Sequence, residues 1–400
     1  MLSNDIKDTI TQTIKDLDSS LRDLSLKIHD DPELGNQEFH AYQLLTEYLK
    51  NQGFNIVYEA AGLKTAFIAE FSNGPGRRVG FCSEYDALPG VGHGCGHNLI
   101  AISGVACAMA TKRLLEQGKI QGTVVLYGTP AEETTSGKIT LIRSGEVKER
   151  VDVAMMLHPF AEDGLYPGYL ALDTIQVEFH GKQSHAGMAP WNGVNAVDAV
   201  MQGFDNIAML RQQTLPSNRM HGIITHGGQA ANVIPAYASA KLYARSLTKD
   251  QLTELKAKME NCFTAAAKAT GCTVNMSWAE SGPTDDVFMN TSLAEYYKAL
   301  MEEQGVKYRS RAEEEQIVGG STDMGNFSYA VPSIHPAFGI YTTATNHTRE
   351  FAQAAGTAKA HQATLRAATC LSITAAHVYL SDTFYQSALA DFKKGKPQTI

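Results

Sequence analysis

A short stretch, residues 78–98, contains the side chains best suited to chemistry. It places two carboxylates, Glu84 and Asp86, a few residues before Cys95 and His97, with several glycines in between. The glycines allow the segment to fold tightly, because glycine adopts backbone angles that other residues avoid. Carboxylate, thiolate and imidazole groups at short spacing are ligands of divalent metals. The alternative interpretation is a flexible loop in which Cys95 is a buried thiol and His93 and His97 are hydrogen-bonded histidines.

Two further predicted strands lead directly into residues that could bind a metal. Thr123–Tyr127 precedes Glu132 and Glu133, and Val153–Leu157 precedes His158. Each feature alone has an ordinary interpretation: a solvated helix start for the paired glutamates, and a satisfied surface or core residue for the histidine. Sites in open α/β sheets form beyond the carboxyl ends of the strands. Three such strand ends in one sheet therefore favour a di-metal or acid–base site.

These residue types fit the hydrolysis of an amide bond. That reaction needs a metal with a free position for water and the carbonyl oxygen, a base for the proton of the water, and a donor for the oxyanion. Because Glu132 and Glu133 are adjacent, one of them can bind metal while the other holds the water. Five residues could share two metals, with one of them bridging: Cys95, His97, Glu133, His158 and His347.

The order of the predicted elements indicates an α/β protein of two domains, since 400 residues exceed one ordinary core. Strands and helices alternate over residues 65–157, which predicts a mostly parallel sheet with helices on both faces. From about Leu172 the order becomes strand-helix-strand-strand-helix-strand, typical of a ferredoxin-like α+β domain. We therefore predict a discontinuous di-metal catalytic domain, residues 1–172 and 284–400, interrupted by a lid or dimerisation domain, residues 173–283.

The net charge, the amino-terminal residues and the cysteines indicate which partners and which cellular location to expect. The net charge is −8 without a basic tract, so nucleic acid and anionic membranes are poor partners. Residues 1–26 carry several aspartates and no long apolar run, which predicts neither a signal peptide nor a membrane span. The six cysteines are scattered, so we expect a reduced, cytoplasmic protein. Near the end of the sequence, an alanine-rich pattern predicts a helix over about residues 354–380.

Taken together, the motifs resemble the M20 family of metallopeptidases, and more narrowly its amidohydrolase branch with hippurate hydrolase and the auxin–amino-acid conjugate hydrolases. The resemblance rests on four segments: Cys95-Gly96-His97, Glu132-Glu133, His158-Pro159 and the loop Gly181…His185…Pro190. It implies a di-metal catalytic domain and a lid through which two subunits pair as a homodimer. It also implies two divalent metal ions per subunit, manganese or zinc first and cobalt or nickel as alternatives.

The resemblance further implies a role for each site residue. Glu132 resembles the general base, and Asp86 resembles the aspartate that orients a metal ligand. His185 resembles the lid histidine that reaches the partner subunit's site and stabilises the oxyanion. Asn232 and Arg245 resemble lid residues that hold the substrate carboxylate, with a plain strand-surface charge as the alternative for Arg245. Five residues resemble the metal ligands, the first of them bridging: Cys95, His97, Glu133, His158 and His347.

Departures from the branch pattern bear on specificity. Where the branch has Arg-Ala-Asp-x-Asp-Ala-Leu-Pro, this chain has Cys82-Ser-Glu84-Tyr-Asp86-Ala-Leu-Pro, and Asn98 stands where the branch has an aspartate. Together with Ser321–Ser328, these changes resemble the subgroup of aminobenzoyl-glutamate hydrolase and β-alanyl-lysine dipeptidase. The implied activity is the metal-dependent hydrolysis of an N-acyl amino acid or dipeptide with a free carboxylate.

Other classes of protein fit the sequence less well. A non-catalytic metal-binding protein on the same fold has no use for a free base such as Glu132, whereas a strict dipeptidase stays open beside an N-acyl amidohydrolase. A serine hydrolase needs Gly-x-Ser-x-Gly, and the segment Gly319-Gly-Ser321-Thr-Asp fails at its last position. A dinucleotide-binding enzyme needs G-x-G-x-x-G, and the alternating glycines of residues 90–94 lack that spacing.

Overall fold

The structure, a computed structural model, describes residues 2–317 and 320–395. Gly319, in the loop compared with a serine-hydrolase motif, lies outside the described residues. The mixed α/β architecture with an inserted unit confirms the predicted fold class. The chain divides into two compact units: unit 1, Met1–Gly168 with Val287–Ile400, and unit 2, Tyr169–Asp286.

The first part of unit 1 begins with two helices and then alternates strands with helices. Its helices are α1 (Asn4–Asp30), α2 (Phe39–Asn51), α3 (His97–Glu116), α4 (Gly137–Arg143) and α5 (Glu146–Arg150). Its strands are β1 (Asn55–Tyr58), β2 (Phe67–Ser72), β3 (Arg77–Ser83), β4 (Gly122–Gly128), β5 (Val153–Met155) and β6 (His158–Phe160). A 3₁₀ turn, Ala60–Gly62, joins the first two strands.

Unit 2 has the ferredoxin-like arrangement predicted from its element order. Its strands are β7 (Ala171–His180), β8 (Ser184–His185), β9 (Arg219–His226), β10 (Val233–Ile234), β11 (Tyr237–Ser246) and β12 (Thr273–Trp278). Its helices are α6 (Ala196–Leu210) and α7 (Lys249–Thr270). The four long strands form an antiparallel sheet in the order β12-β7-β11-β9. Both helices pack on this sheet through a shared apolar core that includes Phe179 and Phe263.

The chain completes unit 1 after the insertion. The returning elements are α8 (Thr291–Glu303), α9 (Arg311–Glu314), α10 (Met324–Ala330), β13 (Ser333–Ile334), β14 (Ala337–Gly339), α11 (Arg349–Ala355), α12 (Ala358–Leu380) and α13 (Asp382–Lys394). The alanine-rich helix predicted over about residues 354–380 is present as α12, but it starts at Ala358, after a separate short helix, α11, that ends at Ala355. The Thr357 side chain accepts the N–H of Ala360 and so begins a new helix.

The main sheet of unit 1 has the strand order β1-β2-β4-β3-β5-β13. The pairings from β4 to β13 are parallel, and those of β1 and β2 are antiparallel. In a parallel sheet all the carboxyl ends lie at one edge, and this is the edge where the sequence predicts a site. A separate parallel pair, β6 with β14, carries His158 opposite Ala337.

Helix α3 lies in the interior of unit 1, against α1, α12 and β3. By length and apolar composition it could cross a membrane, but 94% of its apolar window is buried inside the structure, as in the core helix of a globular domain. It approaches the sheet closely at Gly104, where a Cβ would lie 2.3 Å from Oγ of Ser83. The apolar character of α3 is therefore explained by burial.

Candidate functional site

The parallel strands β3, β4 and β5 end side by side. Ser83 pairs with Gly128, and Phe81 pairs with Met155. The segments that follow these strands therefore leave the sheet at the same edge. The predicted site residues on these segments are Asp86, Glu132, Glu133 and His158.

Cys95 and His97 lie at the start of α3, on a turn that requires glycine between them. Gly96 has a φ of 78°, and a Cβ at this position would lie 2.6 Å from Cγ of Pro159. A larger residue would strain the backbone and clash with the proline ring. Cys95 and His97 are both buried, so the turn holds a thiol and an imidazole in the interior of unit 1.

Asp86 orients the buried ring of His97. Its Oδ1 lies 3.0 Å from Nδ1 of His97, and its Oδ2 accepts the backbone N–H of Glu133 at 3.0 Å. Nε2 of His97 has no hydrogen-bond partner within the described ranges. Burial opposes a positive charge on the ring, but the carboxylates of Glu84 and Asp86 raise the pKa of His97 well above its usual value. The surroundings of Nε2 therefore favour a positive charge, from a proton or a metal ion.

The turn that carries the paired glutamates is held on both sides by buried carboxylates. Ala131 has a left-handed φ of 58°, which is uncommon for a residue with a Cβ. The N–H of Ala131 donates to Oε1 of Glu38 at 2.7 Å. Two residues later, the N–H of Glu133 donates to Oδ2 of Asp86. The backbone on either side of Glu132 is thus fixed by Glu38 and Asp86.

Two groups of donor atoms could each hold a metal ion, and they share Cys95. In the first group Cys95 joins His97 and His158; in the second it joins Glu133 and His347. Within each group the donor atoms lie within 4.8 Å of one another. Thiolate, imidazole and carboxylate are the donors that zinc and related divalent ions prefer. The residues therefore fit a pair of divalent ions with the thiolate common to both.

The remaining two histidines of these groups, His158 and His347, differ in burial and in the direction of their pKa shifts. Nε2 of His158 lies 3.5 Å from Sγ of Cys95, while its Nδ1 lies 2.9 Å from the carbonyl oxygen of Pro159. Burial lowers the pKa of His158 well below its usual value, which keeps the ring neutral as a ligand must be. His347 is exposed, and its Nε2 lies 3.2 Å from Oε1 of Glu133. The Cys95 thiol and the Glu133 carboxylate raise the pKa of His347 to about 10.

Three ionic residues lie behind this site: Glu84, which the sequence analysis singled out as a candidate carboxylate, and Lys138 and Asp323, which it missed. Lys138 is fully buried, and its Nζ lies 2.5 Å from Oε1 of Glu84 and 2.6 Å from Oδ1 of Asp323. Burial opposes the charge of Lys138, but Asp323 and Glu84 raise its pKa. Burial, followed by the Glu84 carboxylate, raises the pKa of Glu132 well above its usual value. The signal in the sequence is a lone lysine in the apolar helix Gly137–Arg143, which needs a buried partner.

Glu38, which holds the glutamate turn, was also missed. It lies 93 residues before Ala131, so no local spacing connects the two. Its carboxylate is fully buried and accepts the hydroxyl of Thr65 as well. Burial raises the pKa of Glu38. Only the packing of α2 beside the sheet reveals its position.

In unit 2 the structure brings His185 and Asn232 together. Strand β8 pairs with β10, and the N–H of Ala186 donates to the carbonyl oxygen of Asn232 at 3.0 Å. Nδ1 of His185 accepts the N–H groups of Gly187 and Met188 at 3.2 and 3.1 Å. The proton of the neutral ring is therefore on Nε2, and the exposed ring can donate a hydrogen bond.

Arg245 is not near Asn232 within the chain. It lies towards the carboxyl end of β11, opposite Leu172 and Arg219, whereas Asn232 precedes the other end of that strand. The ten residues of β11 span about 30 Å. If Arg245 and Asn232 hold one substrate carboxylate, they must come from two different subunits.

Comparisons with known sequences place the chain among peptidases and amidohydrolases. A family profile described as a peptidase dimerisation domain matches residues 171–271, which is most of unit 2. The Xaa-Arg dipeptidase of Mus musculus is 39% identical over 399 residues, covering 97% of this chain and 92% of that protein. A component of the p-aminobenzoyl-glutamate hydrolase of Escherichia coli K12 is 33% identical, covering 63% of this chain and 56% of that protein.

Solved structures share the fold at lower identity. An aminobenzoyl-glutamate utilization protein from Klebsiella pneumoniae superposes with a TM-score of 0.73 at 16% identity, covering 92% of this chain and 98% of that one. A dinuclear metal-binding peptidase from Bacillus subtilis superposes with a TM-score of 0.64 at 20% identity, covering 88% and 98%. These similarities support the two-unit α/β architecture.

Proposed function

The chain belongs to the M20 family of metal-dependent peptidases and amidohydrolases, and we propose that it is a dipeptidase that releases a basic carboxyl-terminal residue. As a member of this family it hydrolyses amide bonds in dipeptides or N-acyl amino acids. The observation that supports the narrower activity is the similarity to the mouse Xaa-Arg dipeptidase across nearly the whole chain.

The metal cofactor of this proposal is a pair of divalent ions, manganese or zinc first. The support is the set of donor atoms that share Cys95, together with the buried Nε2 of His97 and Oε1 of Glu133. Neither atom forms a hydrogen bond in the described part of the chain, although Nε2 of His347 lies 3.2 Å from Oε1 of Glu133. Buried polar atoms without partners are costly, and a cation would satisfy both. Bound divalent ions would polarise the amide carbonyl and lower the pKa of the attacking water.

The residues of the chain would divide the remaining work. Glu132 lies beside ligand Glu133 and would accept the proton of the water and deliver it to the leaving nitrogen. Asp86 would hold the ring of His97 and, with Glu38, the backbone around Glu132. The exposed Nε2–H of the partner's His185 would donate to the oxyanion.

We also propose a homodimer formed through unit 2. Strand β9 is an edge strand, and its side chains Ile223 and Ile224 are exposed by 65% and 45%. Exposed apolar edge strands readily pair with another chain. The separation of Arg245 from Asn232 favours the same conclusion, since a shared carboxylate would need both subunits. A cytoplasmic location remains a prediction.

A panel of substrates tests the proposed function. The purified protein, loaded with manganese, zinc or cobalt, would be assayed for release of free amino acid from Ala-Arg, Ala-Lys, Ala-Leu, Ala-Glu and N-acetyl-arginine. We expect kcat/KM for the two basic dipeptides to exceed that for Ala-Leu by at least about tenfold, because unpaired polar groups in a specific pocket penalise the wrong side chain. Chelator should abolish all turnover. Absence of turnover on every amide by the metal-loaded protein would refute the proposal.

A second candidate is an N-acyl amidohydrolase that acts on an aminobenzoyl-glutamate type of substrate. It is favoured by the similarity to the Escherichia coli hydrolase component, although that similarity covers less of both chains. Adding p-aminobenzoyl-glutamate to the panel separates the candidates. Faster release of glutamate from this compound than of arginine from Ala-Arg would select the second candidate.

A further inference from the structure

Glu84 lies next to the donor atoms described above but has no role in the ligand set inferred from the family. It follows the last residue of β3, and its side chain is fully buried. Oε1 is bound by Nζ of Lys138, so only Oε2 is left to interact with anything else. Oε2 lies 3.3 Å from Nε2 of His97. Both atoms are buried and without a hydrogen-bond partner among residues 2–317 and 320–395.

The distance between these two atoms has a simple interpretation. Nδ1 of His97 faces Asp86, so Nε2 is the nitrogen that would bind a metal. Two donors that bind the same ion at about 2.1 Å lie roughly 3.0–3.4 Å apart for octahedral or tetrahedral angles. The 3.3 Å between Nε2 of His97 and Oε2 of Glu84 fits this spacing. Glu84, His97 and Glu132 also form a third group of donor atoms within 4.8 Å of one another.

The charges around Glu84 also favour a cation. Lys138 contributes one positive charge, and it is shared between the carboxylates of Glu84 and Asp323. Both carboxylates and the ammonium group are fully buried, so these three groups together carry one net negative charge, which faces the ring of His97. An uncompensated buried carboxylate is strongly unfavourable. A divalent ion at Nε2 of His97 would supply the missing positive charge.

Lys138 and Asp323 hold Glu84 in a fixed orientation. Oδ2 of Asp323 accepts the backbone N–H of Lys138 at 3.0 Å, while Oδ1 binds Nζ of the same lysine. The lysine side chain is therefore anchored at both ends, and it fixes Oε1 of Glu84. The other oxygen, Oε2, is left directed at the position that a metal ion on His97 would occupy.

We propose that Glu84 is an additional ligand of the metal ion bound by His97. Its carboxylate supplies a hard oxygen donor to an ion otherwise bound by one thiolate and two imidazoles. Oxygen donors favour manganese, whereas thiolate and imidazole favour zinc. Glu84 therefore shifts the preference of this position towards manganese. The inference rests on the proposed metal pair but not on any particular substrate.

Metal binding to four purified proteins tests the proposal without an activity assay. The proteins are the wild type, Glu84→Gln, Glu84→Asp and Asp323→Asn, each stripped with chelator and titrated with Mn²⁺ and Zn²⁺ by calorimetry. Glu84→Gln should lower the affinity for Mn²⁺ at one of the two positions by about tenfold or more, the range for losing a supporting metal contact. It should lower the affinity for Zn²⁺ less. Glu84→Asp keeps the charge, but its side chain is one methylene shorter and its oxygen cannot reach the same position. It should therefore also lower the affinity for Mn²⁺ more than the affinity for Zn²⁺.

Asp323→Asn is the matched control, since it neutralises the second carboxylate bound to Lys138 but keeps an oxygen acceptor for that lysine and leaves the carboxylate of Glu84 in place. It should leave the ratio of Mn²⁺ to Zn²⁺ affinity close to that of the wild type. The visible spectrum of the Co²⁺-loaded proteins gives a second measurement, because losing an oxygen ligand lowers the coordination number and strengthens the absorption. Unchanged Mn²⁺ affinity and Co²⁺ spectrum in a folded Glu84→Gln protein would overturn the proposal.

A crystal structure of the Mn²⁺-loaded wild type makes the test independent of whether the variants fold. Anomalous scattering should place an ion about 2.0–2.3 Å from Oε2 of Glu84. An ion on His97 with this oxygen beyond about 3 Å would overturn the role of Glu84, while two bound ions would still support the proposed function. A wild type that binds no ion would overturn both.

Discussion

Units 1 and 2 hold their candidate residues in opposite ways. In unit 1 the donor atoms of both candidate metal groups converge at one sheet edge, and Cys95, His97 and His158 are buried. In unit 2 His185 and Asn232 are exposed, and Arg245 lies towards the far end of β11. Groups that converge can bind an ion within one chain, whereas exposed and separated groups act only against a second surface. From this comparison we expect metal binding within one subunit and catalysis that requires two.

The largest expected effect is in unit 1, at the base. Glu132→Gln should retain both metal ions and lower kcat by about 10²–10⁴, the usual contribution of a general base. Elemental analysis and steady-state kinetics measure the two quantities. Glu133→Gln is the control, since removing a ligand should lower metal content as well. If Glu132→Gln retained more than about a tenth of wild-type activity, another residue would be the base.

The next effect tests whether unit 2 acts across the dimer. His185→Ala should lower kcat by about 10²–10³, as for the loss of an oxyanion donor, with metal content unchanged. Mixed and re-assembled with Glu132→Gln, it should recover about a quarter of wild-type activity, because half of randomly paired dimers contain one intact site. Met188→Ala, in the same exposed loop, should behave as the wild type. No recovery despite subunit exchange, shown by tagged pull-down, would place His185 outside the partner's site.

A smaller effect is expected on metal affinity, which a change in unit 1 should lower and a change in unit 2 should leave unaltered. Asp86→Asn weakens the orientation of His97 and should lower metal affinity about 10–100-fold, the usual cost of losing a carboxylate behind a ligand. Calorimetric titration of the stripped protein measures it. In the same titration His185→Ala should bind metal as the wild type does. Equal metal affinities for Asp86→Asn and the wild type would contradict the comparison.

The smallest effect concerns Glu38, which touches neither metal ligands nor substrate. Glu38→Gln weakens the bond to Ala131 and should lower kcat about tenfold, because a displacement of about 1 Å at a catalytic group can cost 100-fold. KM and metal content should stay near their wild-type values. Glu33→Gln is the matched control, since Glu33 binds the N–H groups of His40 and Ala41 but not the glutamate turn. If Glu38→Gln and Glu33→Gln lowered kcat equally, Glu38 would have only a structural role.

Much of the architecture could be predicted because its signals are local. The alternation of strands and helices indicated the mixed sheet of unit 1, and the element order of unit 2 indicated its antiparallel sheet. Both signals depend on the periodicity of apolar and polar side chains over a few consecutive residues, so they can be read from the sequence without knowing which segments meet in the fold. The break between α11 and α12 was missed, because Thr357 begins a helix within an otherwise helical alanine-rich pattern. The roles of the site residues remain predictions.

The sequence alone supplied the chemistry of the site: the thiol and imidazole spaced by Gly96, and the paired glutamates after a strand. These are short-range features, and the residue types limit what a metal site can do. Tertiary structure decided which of these groups meet. Lys138 lies 54 residues from Glu84 and 185 residues from Asp323, and no periodicity relates the three. Their contact exists only because packing of the sheet and helices buries all three together, where a charge must find its partner.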